Sequence, residues 1–120
     1  MEPIMKIKEK IEGNIAILSV TGNMMDGPET AVLHEKVKSL ISDGMKEVIL
    51  DLNKVKWMNS SGLGVLMSCW GSLRKEGGNL KLANVPEKIK SLLMITQLVQ
   101  FFETFETVEQ AVASFAAEMN

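Results

Sequence analysis

Residues Asp51 to Leu66 read DLNKVKWMNSSGLGVL, and the rest of the chain is built outward from them. Upstream, Val48-Ile49-Leu50-Asp51-Leu52 is a short apolar run of the kind that forms a buried strand. The polar residues Asn59-Ser60-Ser61-Gly62 then make a tight turn, and Leu63 to Leu73 is an apolar run with helical spacing. Strand, turn, helix leaves the first helical N–H groups facing solvent. A serine there can cap the helix, and a phosphate there would meet the positive end of its dipole.

Composition limits what such a chain can be. Its 120 residues suffice for one domain with a core and are too few for two. A 46% hydrophobic and 23% charged composition is that of a soluble globular protein. The net charge of −2, without a Lys/Arg cluster, gives nucleic-acid binding no electrostatic support. No apolar run approaches a bilayer span, and Met1-Glu2-Pro3 does not begin a signal peptide, so no membrane partner is expected. The single Cys69 has no disulfide partner within the chain, which fits a reduced, cytoplasmic setting. One His and one Cys are too few soft ligands for a metal site. Neither metal nor cofactor is expected.

The flanking sequence supplies the other elements. Ile4 to Ile11 alternates, with lysines at 6, 8 and 10, as an edge strand does. Gly13-Asn14 is a hairpin turn, and Ile15 to Val20 is a second strand. Thr21 to Pro28 reads as a loop in which Asp26 can cap a helix, with Leu33, Val37, Leu40 and Ile41 on its apolar face. Glu47 to Leu52 is the third strand. On the helix after Ser60 the stripe is Leu63, Leu66, Met67, Trp70 and Leu73, with Val65 and Cys69 off it. Gly77-Gly78 precedes a short strand, Leu80 to Ala83, and Pro86 begins a third helix carrying Ile89, Leu92 and Leu93. Glu103-Thr104-Phe105 can form a fifth strand, and Thr107 with Gln110 opens a last helix as a capping box. The order ββαβαβα(β)α predicts an α/β fold: a mixed sheet of four to five strands with about four helices on one side. Residues 1–120 are expected to form a single domain.

Read from residues alone, Ser60 and Ser61 are most simply helix caps. The segment lacks the flanking glycines of a nucleophile elbow. Gly62-Leu63-Gly64 lacks the third glycine of a dinucleotide loop, since Met67 stands there, and no Gly-Lys-Ser/Thr follows. Gly62 and Gly64 instead leave the first turn bare for close approach by another protein. His34 is expected as a solvated helix residue. Met24 and Met25 are flexible apolar side chains in a loop and suit a partner groove. Trp57 fits core or rim equally. No acid/base pair or activated nucleophile is seen, so a binding module rather than an enzyme is expected.

DLNKVKWMNSSGLGVL resembles the signature of the STAS domain, the family of bacterial anti-sigma factor antagonists. In that family the first serine of Ser-Ser-Gly-Leu-Gly is the phosphorylation site, which maps to Ser60. The usual residue before it is aspartate, and Asn59 keeps that hydrogen-bonding shape without the charge. The resemblance implies a domain that, unphosphorylated, binds an anti-sigma factor with serine kinase activity and frees a sigma factor. Phosphorylation of Ser60 would end binding and a phosphatase would restore it. The expected partner surface comprises Met24, Met25, Asp26, Asn59, Ser61, Gly62, Leu63 and Gly64, in a monomer or weak dimer. The alternative is a STAS module that does not switch and serves a scaffold or transporter complex, with Ser60 only a cap.

Overall fold

A computed structural model describes residues 5–25 and 28–118. Strand β1 (Lys6–Glu12) turns at Gly13-Asn14 into β2 (Ile15–Met24). Helix α1 (Pro28–Ser42) leads to β3 (Glu47–Met58), and α2 (Ser60–Lys75) to β4 (Asn79–Ala83). Helix α3 (Glu87–Ile95), a 3-10 turn at Leu98–Gln100, β5 (Thr104–Phe105) and α4 (Val108–Glu118) complete the chain. The five-stranded sheet has the order β1-β2-β3-β4-β5. The β1–β2 pair is antiparallel and the other pairs are parallel. This is the expected mixed α/β architecture, with the lysine-rich strand at one edge.

One detail of the expected layering is corrected. Helices α1, α2 and α3 cover one face of the sheet, with Leu33, Val37, Leu66, Leu73, Ile89 and Leu93 packed on Ala16, Leu18, Val48 and Leu50. Helix α4 covers the opposite face, where Ala111 and Phe115 pack on Ile15, Ile17, Ile49 and Ala83. Adjacent strand residues point to opposite faces, so the unbroken run Val48-Ile49-Leu50, fully buried throughout, needs cover on both.

Strands β2 and β3 are longer than their apolar runs suggest. Their pairing continues past Asp51, but β3 spends three residues from Asp51 to Lys54 against two from Ser19 to Thr21. It spends two from Val55 to Trp57 against one from Gly22 to Asn23. Each extra residue is a bulge that resets which side chain points inward. The buried residues Leu52, Val55 and Met58 therefore recur every third position rather than every second. Thr21 to Met24, expected as loop, are strand for the same reason.

The helix ends follow local chemistry. Helix α2 stops where Gly77, at φ 85°, donates to the Arg74 carbonyl and Gly78 N–H donates to the Leu73 carbonyl at 2.8 Å. Helix α4 starts on the expected pair, with Gln110 N–H donating to Thr107 Oγ1 and Glu106 N–H to Gln110 Oε1, each at 3.1 Å. The cap expected at Asp26 lies outside the described residues. Among the described residues no helix is long and apolar enough to cross a membrane.

Candidate functional site

The two extended strands deliver the site. Both β2 and β3 end at the same edge of the fold, where Met24 pairs with Met58. The chain then turns into α2 within one residue. Asn59 is extended, at φ −106° and ψ −169°, and its Oδ1 accepts from Gly62 N–H at 3.0 Å. Its carbonyl accepts from Leu63 N–H at 3.0 Å, and its own N–H donates to the Met24 carbonyl at 3.2 Å. The cap is therefore Asn59 and not a serine, which corrects the expectation for Ser60 and Ser61. Asparagine and aspartate cap equally well, so the Asn59 departure preserves what this position does for the fold.

With the cap supplied by Asn59, Ser60 and Ser61 are the first and second residues of the helix, and both are exposed. No acidic residue lies in the first turn of α2, so the positive end of its dipole is not neutralised there. An anion on Ser60 would sit beside unpaired N–H groups and no carboxylate of that turn.

The remaining expected contact residues divide by burial. Met24 is strand, not loop, and is fully buried, so its side chain is core rather than a partner contact. Gly62 is buried too. A β-carbon there would collide with the Met24 carbonyl oxygen and lie 3.1 Å from Met58 Cβ. Its smallness serves packing of the helix on its own strands and not access by a partner. Leu63 is 6% exposed and belongs to the core. Gly64 is exposed with open space around it, as expected of a bare helix surface. Met25 is exposed at the end of β2, and its carbonyl accepts a hydrogen bond from Thr30 Oγ1 on α1. Asp26 lies outside the described residues. Trp57 resolves to the rim, with 41% of its surface open. Ser60, Ser61, Gly64 and Met25 are thus the open residues around the cap, and Trp57 is exposed two residues before it.

Two further side chains differ from expectation. His34 is half-buried, and its Nε2 lies 3.0 Å from Ser72 Oγ, tying α1 to α2. Burial, with Lys38 nearby, lowers its pKa below 6.5, against a smaller opposing pull from Glu35. Cys69 is core, not an off-stripe residue, and burial pushes its thiol pKa up to about 12. Among the described residues no group of three His, Cys, Asp or Glu is placed to hold a metal ion.

Residues 6–111 match the family model described as the STAS domain. The chain belongs to the STAS domain family. Over 67 residues it is 39% identical to the anti-sigma-B factor antagonist of Bacillus subtilis, covering 56% of this chain and 61% of that one. Over 88 residues it is 26% identical to the anti-sigma-B factor antagonist of Staphylococcus aureus, covering 73% of this chain and 82% of that one. The fold is similar to the crystal structure of an anti-sigma factor antagonist from Mycobacterium paratuberculosis, at a TM-score of 0.77 and 21% identity over 92% of both chains. In this STAS domain the surface around Ser60 lies at the carboxyl ends of parallel strands, the edge where open α/β sheets generally present their ligands.

Proposed function

We propose that this STAS domain is an anti-sigma factor antagonist whose docking surface is the exposed ground around Ser60 and which phosphorylation of Ser60 switches off. The observation that carries the reading is the division of labour at Asn59 and Ser60. Asn59 holds the helix, so the Ser60 hydroxyl is exposed and not needed for capping. Ser60, Ser61, Gly64, Met25 and Trp57 would meet the partner, an anti-sigma factor with serine kinase activity. Docking would displace a sigma factor from that partner. The domain acts by binding, with the transferred phosphoryl group supplied by the kinase's ATP.

Phosphate on Ser60 adds about −1.5 to −2 charges. The α2 N-terminus stabilises an anion by about 0.3–1 kcal/mol, so the fold tolerates the group. An unpaired charge in a buried interface costs several kcal/mol, so the complex does not. One modification leaves the domain folded and ends its binding, and a phosphatase reverses it. The test is incubation with ATP and the anti-sigma serine kinase of the same genome, read by mass spectrometry. One phosphate at Ser60, absent in Ser60→Ala, supports the switch. A protein left unmodified at Ser60 while the kinase is active overturns it.

A further inference from the structure

The other end of the domain carries an apolar surface that the Ser60 site does not use. Helix α2 runs back along the parallel strands, so its last turn lies at the end of the sheet opposite its first. Its 16 residues, at about 1.5 Å each, put roughly 24 Å between them. Helix α3 starts beyond the carboxyl end of β4 and leads back toward this far end, where Phe101 and Glu103 share a hollow with Asn79, the first residue of β4. Here Met94, Ile95, Val99 and Phe101 are exposed by 66%, 79%, 44% and 40%. Scattered apolar residues need no explanation, but four within eight positions on one end of a small domain mark an interaction surface. The inner side of α3 is already spent on the core through Ile89 and Leu93.

Next to these protruding residues is a hollow of about 370 Å³, lined by Trp70, Arg74, Asn79, Val99, Phe101 and Glu103. Its wall is aromatic, with Trp70 packed edge-on against Phe101 at 5.4 Å and Phe102 at 6.4 Å between ring centres. Its rim has one cation, Arg74, and one carboxylate, Glu103, both exposed. Glu103 lies 3.7 Å from Lys81 Nζ and still has 53% of its side chain open. A surface with a protrusion, a hollow and one charge of each sign is complementary to itself.

We infer that this far end seats a second copy of the same chain in a two-fold dimer. A two-fold axis brings the same patch onto itself, so Arg74 of each copy faces Glu103 of the other and the pair forms twice. The α3 end of each copy enters the hollow of the other. The patch is small, so the dimer is weak and concentration-dependent. Because it lies at the opposite end from Ser60, both copies keep their Ser60 surfaces free, and the dimer is bivalent.

Sedimentation velocity over a concentration series tests this. The unaltered chain should show a rising dimer fraction. Ile95→Asp should weaken the dimer at least about tenfold while leaving the monomer's unfolding midpoint, read at a concentration below dimerisation, unchanged, because Ile95 is exposed. Arg74→Glu should weaken it as well, and Arg74→Glu with Glu103→Arg should restore it. In the doubled variant Lys81 still has Ser114 and Glu118 as partners. A chain that stays monomeric throughout, or an Ile95→Asp variant that associates as well as the unaltered one, overturns the inference.

Discussion

Asn59 Oδ1 accepts a hydrogen bond from Gly62 N–H at 3.0 Å, and this bond opens helix α2. Replacing Asn59 by Ala should cost about 1 kcal/mol, whereas Asn59→Asp should be neutral within a few tenths or slightly stabilising through the dipole. Urea unfolding of the three proteins checks this. An Asn59→Ala protein as stable as the unaltered one would show that the cap does not hold the helix.

Gly62 and Gly64 are two residues apart and should respond in opposite ways. Gly62→Ala forces a methyl group against the Met24 carbonyl and should destabilise by about 1–3 kcal/mol. Gly64→Ala enters open space on a helix and should stabilise by about 0.5–1 kcal/mol. The contrast separates packing from helix propensity in one unfolding experiment. Equal effects at both positions would refute the close approach.

Lys81 is fully buried on β4, with Ser114 Oγ at 2.5 Å, Glu118 as an ion-pair partner and the Phe115 ring centre 4.2 Å from Nζ. It ties α4 to the sheet. Its carboxylate partners Glu103 and Glu118 are half-exposed and can return to water. Lys81→Met keeps the volume and should cost less than about 1.5 kcal/mol, whereas Lys81→Ala leaves a cavity and should cost about 2–4 kcal/mol. Hydrogen exchange of α4 amides should report the loss. Equal destabilisation by both variants would assign the effect to charge rather than to packing.

His34 should give a small pH dependence. Its folded pKa is lowered by burial and Lys38, so the unfolded chain takes up the proton first. This contribution is fully present above 6.5, the ordinary value, and is lost as pH falls below that through the folded value. Glu35 and Lys38 are the charged neighbours acting on the ring, and Ser72 faces it from α2. His34→Gln should remove that part of the pH profile. A profile unchanged by the substitution would show that the ring titrates equally in both states.

Much of the fold could be read from the residues. Gly13-Asn14, the lysines of β1 and the Thr107–Gln110 box act through neighbours in sequence, so their chemistry was legible. The length of β3 was not, because two bulges move its buried residues to every third position and erase the alternation. The second sheet face was hidden because Lys81 looks like a solvent-facing residue until α4 covers it. At the candidate site, the motif pointed to the strand-to-helix turn that leads into α2 but to the wrong cap. Asn59 and the serines are all good caps, and only backbone geometry decides which one sits in the extended position. Gly62 and Met24 could not be read correctly for a related reason. Their roles arise from one contact between segments 38 residues apart in sequence.

The most direct test of the proposed switch is titration calorimetry of the anti-sigma serine kinase with this domain, unmodified and fully phosphorylated on Ser60, beside the unfolding midpoint of each form. Phosphorylation should leave the midpoint equal or raise it by up to a few degrees, and should weaken binding by about a hundredfold or more. Equal affinity of the two forms, or a phosphorylated domain that unfolds, would contradict the switch.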